Sequence, residues 1–202
     1  MDFVLTHFEY FAAALGLANI ILLVRRSVWN YPFGIVMVTC YAWIFFGERL
    51  YSDALLQIFF LVVQIYGWWH WTRAAEITDD RLIPVQRLSK GSQIGLLSLI
   101  ILLSIGWGTM MARFTNADFP YWDGTIAMAS VVAQILLARR YVENWVLWII
   151  VDILAVGLYW QKGLHPTAML YVVFLVLAAV GLYQWHKIYV AQRRDEEIAR
   201  FR

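Results

Sequence analysis

One cysteine, Cys40, occurs in the 202 residues. A lone thiol closes no internal disulfide, so no cross-linked framework holds this chain and its cysteine usage marks no redox compartment. Cys40 sits in an apolar run and reads as a packing residue. Charge is equally scarce: 15% of residues are charged against 62% hydrophobic, with a mean hydropathy well above zero. That balance excludes an ordinary soluble domain and marks an integral membrane protein. No glycine-rich loop of the phosphate-cradling kind is present, so ATP use is not expected, and no Ser, His, Asp constellation supports hydrolysis. His7, His70, His165 and His186 fall at the ends of predicted spans without a metal-ligand spacing. They read as interfacial polar groups, with many Trp and Tyr forming an aromatic belt, and no metal or cofactor is expected. The net charge of +2 gives no support to a nucleic-acid partner.

What the chain does have is long apolar runs. Seven approach the length needed to cross a bilayer: Phe3 to Val24, Tyr31 to Phe46, Tyr51 to Trp71, Ile94 to Met111, Gly124 to Leu137, Trp145 to Trp160 and Thr167 to Trp185. Some are short or poorly bounded, and six spans is the alternative count. The first run opens with Asp2 and Glu9 rather than a basic segment, so it is expected to stay in the mature protein. With seven spans, Arg25, Arg26, Arg73, Arg81, Arg87, Lys90, Arg139, Arg140, Lys187, Arg193, Arg194, Arg200 and Arg202 share a side, against Arg49, Arg113 and Lys162. The positive-inside rule then predicts an external N-terminus and a cytoplasmic C-terminus.

Laid against itself with a shift of 114 residues, the chain shows an internal repeat. RRSVWNYPFGIV (25–36) pairs with RRYVENWVLWII (139–150), and LYSDALLQIFFLVVQIYGWWHW (50–71) pairs ungapped with LHPTAMLYVVFLVLAAVGLYQW (164–185). Matches include Arg25 with Arg139, Asn30 with Asn144, Leu50 with Leu164, Gly67 with Gly181 and Trp71 with Trp185. The expected organisation is a first three-helix repeat (1–73), a cytoplasmic linker with a linking transmembrane helix (74–118), a second three-helix repeat (119–188) and a cytoplasmic C-terminal tail (189–202). An odd middle span makes the copies parallel, an arrangement found in transporters whose substrate site lies near the midplane between halves.

Polar residues inside such spans are the candidates for a site. Asp152 lies in NWVLWIIVD (144–152), where insertion into the bilayer centre costs about 2.5–3.5 kcal/mol. It shares a helical face with Trp148, and with Trp145 or Asn144 a turn beyond. Either Asp152 caps a broken helix or bonds to a neighbouring one, or the carboxylate and indoles meet a cation or an aromatic ring, since Trp faces attract cations by about 0.5–2 kcal/mol. Gln57 and Gln64 share a face of the third span, Gln134 lies in the fifth and Tyr171 in the seventh. Each glutamine alone could bond between helices; together they suggest a lined cavity.

NYPFG (30–34), LYSDALLQIFF (50–60), IYGW (65–68), FPYWD (119–123), RRYVENWVLWIIVD (139–152) and the Leu-Tyr pair at 170–171 carry a resemblance: the chain is similar over nearly its whole length to the PnuC family of nicotinamide riboside transporters. The spacing Trp145-x-x-Trp148-x-x-x-Asp152 is the most specific part, and Asp152 departs from the Asn common in relatives. The resemblance implies an all-α membrane fold of seven transmembrane helices in a 3+1+3, SWEET-like bundle, assembled as a homotrimer. It also implies facilitated diffusion of a vitamin precursor across the inner membrane, trapped by a cytoplasmic kinase without a coupling ion, and substrate-binding roles for Trp148 and Asp152. Nicotinamide riboside, an aromatic cation bearing a ribose, suits a carboxylate, an indole and amides. Thiamine, also an aromatic cation, is the alternative within the same family; a membrane enzyme and a sensory or scaffolding subunit are the readings from other classes.

Overall fold

Within hydrocarbon every backbone N–H and C=O must bond internally, so the apolar runs are expected to become helices. A computed structural model, which describes residues 2–47, 51–78, 84–115, 118–163 and 165–200, bears this out. Its described residues form seven helices: α1 (Asp2–Val24), α2 (Asn30–Gly47), α3 (Tyr51–Thr78), α4 (Lys90–Phe114), α5 (Pro120–Ala138), α6 (Glu143–Gln161) and α7 (His165–Arg200). Among the described residues, four helical segments are long and apolar enough to cross a membrane: Lys90–Phe114, Pro120–Ala138, Glu143–Gln161 and Ala168–Arg200. Leu97, Leu102, Ile105, Ile153 and Tyr183 on these helices are exposed, a surface that suits lipid rather than water. Arg49, Arg81, Arg202, Leu50 and Leu164, used in the charge and repeat readings, lie outside the described residues, as does the side chain of His7.

Two compact units divide the chain, Met1–Pro84 and Val85–Arg202. In the first, α1 packs on α2 and α2 on α3. The α1–α2 turn is a Schellman closure in which Arg26 N–H donates to Leu23 O and Ser27 N–H to Leu22 O, both at 2.9 Å. Arg26 takes a φ of 56° to make it, a left-handed conformation costing roughly 1–2 kcal/mol in a residue with a Cβ. Asn30 then starts α2, its Nδ2 donating to Ser27 O at 2.6 Å. Behind the turn Tyr31 meets Trp71 edge to face, centroids 5.2 Å apart. Gly67 permits that approach, since a Cβ there would sit 2.6 Å from Tyr31 Cε1.

The second unit packs α4 on α5, α5 on α6 and α6 on α7, around Ile100, Ala129, Val132, Leu136 and Val151. Its α5–α6 turn is built like the α1–α2 turn. Arg140 has φ 66°, its N–H donates to Leu137 O and Tyr141 N–H to Leu136 O at 2.9 Å, and Asn144 Nδ2 donates to Tyr141 O at 2.6 Å. Trp145 meets Trp185 edge to face at 5.6 Å, over Gly181, where a Cβ would lie 2.6 Å from Trp145 Cε2. Each of these residues stands 114 positions after its counterpart in the first unit. The polar segment before α4 is pinned to this turn: Gln86 N–H donates to Arg140 O at 2.8 Å and Val142 N–H to Gln86 O at 2.9 Å. Glu143 receives Leu88 N–H on both oxygens at 3.2 Å.

Candidate functional site

Helix α6 carries the densest set of candidate residues. Asn144 and Trp145 stand at its N-terminal end and are fully buried. Both are engaged in the turn just described, Asn144 through its amide donor and Trp145 through the contact with Trp185. Their twins Asn30 and Tyr31 make the same contacts. At about 100° per residue, Asp152 falls within about 20° of Trp145 and 40° of Trp148, so the three form one stripe down the helix. Trp148 is half-buried, one flank resting on the core cluster of α4, α5 and α6, which holds its indole in place.

Asp152 is only 4% exposed. Among the described residues no hydrogen bond or ion pair reaches its carboxylate. A buried carboxylate without one is costly, and such groups inside membrane bundles mark solute pathways.

Two turns beyond Asp152 on the same stripe, Tyr159 stacks on Tyr171 of α7, centroids 5.2 Å apart at 25°. Tyr171 is also edge to face with Phe174 at 5.7 Å. The fold thus brings Tyr171 to the stripe through Tyr159, a residue the sequence reading passed over although it stands seven positions after Asp152. Gln134 is buried in α5, and among the described residues no hydrogen bond ties it to the α6 stripe.

Gln57 and Gln64 belong to the first unit. Gln57 is half-buried on α3, and Gln64 is 4% exposed. Gln64 lies against Gly34 of α2, where a Cβ would overlap both its amide and Asn19 Nδ2. Asn19 in turn donates to Asn30 O at 2.7 Å. Asn19 and Gly34 were missed from sequence, yet the 114-residue register hints at them: Gly34 aligns with Trp148 and Gln64 with Ala178. The register thus pairs the indole of Trp148 with a glycine and the buried amide of Gln64 with an alanine.

An all-helical molecule with apolar side chains turned outward and carboxylate, amide and indole groups kept inside defines a class, the multi-pass membrane proteins that admit a polar solute. Residues 6–187 match the family described as "Nicotinamide mononucleotide transporter", and the chain belongs to that family. It is similar to the nicotinamide riboside transporter PnuC of Escherichia coli (strain K12), with 29% identity covering 85% of this chain and 79% of that protein. It is also similar to the riboflavin/roseoflavin transporter RibM of Streptomyces davaonensis, with 25% identity covering 90% and 84%. The solved structure titled "Crystal structure of the Vitamin B3 transporter PnuC" shares the fold, with a TM-score of 0.74 at 24% identity over 92% of this chain and 83% of that one. The chain is therefore a transporter and not an enzyme.

Proposed function

We propose that this chain carries nicotinamide riboside across the bacterial inner membrane by facilitated diffusion, with Trp148 and Asp152 as the groups that meet the pyridinium ring. The observation that carries the reading is the buried carboxylate of Asp152, without a hydrogen-bond partner among the described residues, on the same face of α6 as the anchored indole of Trp148. A pyridinium cation supplies the charge that Asp152 lacks and a face for Trp148 to stack on. Amides suit the ribose hydroxyls and the carboxamide, a role assigned to Gln57, Gln64 and Gln134. Asn144 and Trp145 then act as positioning residues, through their contacts with Tyr141 O and Trp185, and Tyr171 with Tyr159 flanks the stripe.

The name of the relative RibM raises a second reading, since riboflavin is neutral. Asp152 argues against it, because a neutral flavin offers a buried carboxylate hydrogen-bond donors but no compensating charge. Thiamine, another aromatic cation, stays the alternative substrate. The wider architecture follows the same reading: two parallel three-helix repeats joined by α4, a SWEET-like 3+1+3 bundle, supported by the matched turns at a 114-residue interval. The N-terminus lies outside and the C-terminal tail in the cytoplasm, three such chains assemble as a trimer, and a cytoplasmic kinase traps the product.

Counterflow in proteoliposomes tests this. Labelled nicotinamide riboside is expected to exchange with unlabelled substrate inside the vesicles, at the same rate with and without sodium or proton gradients. No exchange would contradict the substrate, and exchange that collapses with the proton gradient would contradict passive transport.

A further inference from the structure

On the side of α6 away from Asp152, a cavity of about 300 Å³ opens between α4, α6 and α7 of the second unit. Most of its wall is apolar, from Leu96, Leu97 and Ile100 of α4, Val146 and Ile150 of α6 and Leu182 of α7. One end is polar, where the segment before α4, the start of α6 and the later part of α7 bring Arg87, Glu143 and His186 together. Glu143 is already occupied: it accepts Leu88 N–H at 3.2 Å and Gln93 Nε2 at 3.0 Å, and faces Arg87 Nε at 3.6 Å. Arg87 meets the carboxylate through its Nε. Its side chain is 48% exposed, and its two terminal nitrogens have no partner among the described residues.

The lining selects an occupant. The cavity runs about 10.5 Å along α4 and α6, from Gln93 to Ile100 and from Glu143 to Ile150, with an apolar wall that ends at the cationic Arg87. A hydrocarbon chain beneath an anionic head matches that pairing of wall and end. Alternating helices also place Lys90, Arg139, Arg140 and Lys187 of this unit at the end where Arg87 and His186 lie, and basic pockets between membrane helices hold acidic lipid headgroups.

We propose that this cavity seats one acyl chain of an anionic glycerophospholipid, its phosphate on the free edge of Arg87 with His186 beside it. The lipid braces α4 against α6 and α7 from outside the substrate stripe, and the assignment does not depend on which vitamin is carried.

Delipidated full-length protein in detergent, melted under tryptophan fluorescence with dioleoylphosphatidylglycerol or dioleoylphosphatidylcholine, tests the assignment. The anionic lipid is expected to raise the melting temperature by several degrees more than the zwitterionic one. Arg87→Gln should remove most of that difference while keeping a common acyl response, and Leu97→Trp, which fills the cavity from an exposed position, should remove the response to both. Equal shifts for the two lipids in the wild-type protein would overturn the proposal, as would variants that respond like wild type. If Leu97→Trp instead lowers the oligomer mass by light scattering and leaves the lipid response intact, a second copy of the chain occupies the cavity and the proposal also fails.

Discussion

At the residue scale the chemistry concentrates on one carboxylate. Replacing Asp152 by Asn keeps the shape and the capacity to hydrogen-bond but removes the charge. Affinity for cationic ligands such as nicotinamide riboside or thiamine is expected to fall about tenfold or more, the cost of unpairing a buried charge. Neutral ligands should move much less, which parallel titrations of cationic and neutral vitamins would check. Gly181 is a packing counterpart to this chemical test. A Cβ there would overlap Trp145, so Gly181→Ala is expected to destabilise the protein by about 1–3 kcal/mol, read as a lowered melting temperature. Asp152 and Trp148 were legible in the sequence because a charge and a tryptophan a turn apart stand out in an aliphatic run. Tyr159 was not, because a tyrosine near a span end is indistinguishable from an interfacial belt residue until Tyr171 is seen stacked on it. Asn19 and Gly34 escaped for a related reason: a glycine's meaning lies in what approaches it, and Gln64 comes from another helix.

At the element scale the existence of all seven helices was legible, because hydropathy alone decides where a chain enters hydrocarbon. Their ends were less so. α3 continues to Thr78, well past the predicted limit at Trp71. Hydropathy falls at the headgroups, whereas backbone hydrogen bonding carries a helix on into water. The helix–turn–helix units α1–α2 and α5–α6 offer a sharper test. Asn30 and Asn144 hold their turns with the same 2.6 Å bond to the residue three positions earlier. Asn30→Ala and Asn144→Ala are each expected to cost about 1 kcal/mol. Losses of similar size in chemical or thermal unfolding would support equivalent structural roles, and a large loss at one with none at the other would argue against them. The pinning of the segment before α4 to the α5–α6 turn through Gln86 and Glu143 was not legible, since a polar linker of that composition reads only as solvated chain.

At the scale of the whole molecule, a membrane bundle is matched to the proposed task of passive solute transfer. A facilitator needs only a site that recognises its solute and helices that expose that site in turn, and on the proposed reading the α6 stripe supplies that recognition without a coupled ion. Placing Trp148 against the core cluster keeps the indole rigid, so little ordering is required when the ligand arrives. On the proposed reading, accumulation falls to a cytoplasmic kinase that consumes the product, and the direction of net flow follows the substrate gradient. The most direct test of this reading is calorimetric binding of nicotinamide riboside, thiamine and riboflavin to the purified protein, each beside the Trp148→Ala variant. Loss of a desolvated cation–indole contact is expected to weaken nicotinamide riboside about 30-fold or more, with the fold of the variant intact by circular dichroism and riboflavin bound weakly by both proteins. Nicotinamide riboside binding that survives Trp148→Ala unchanged, or a preference for riboflavin over both cations, would contradict the account.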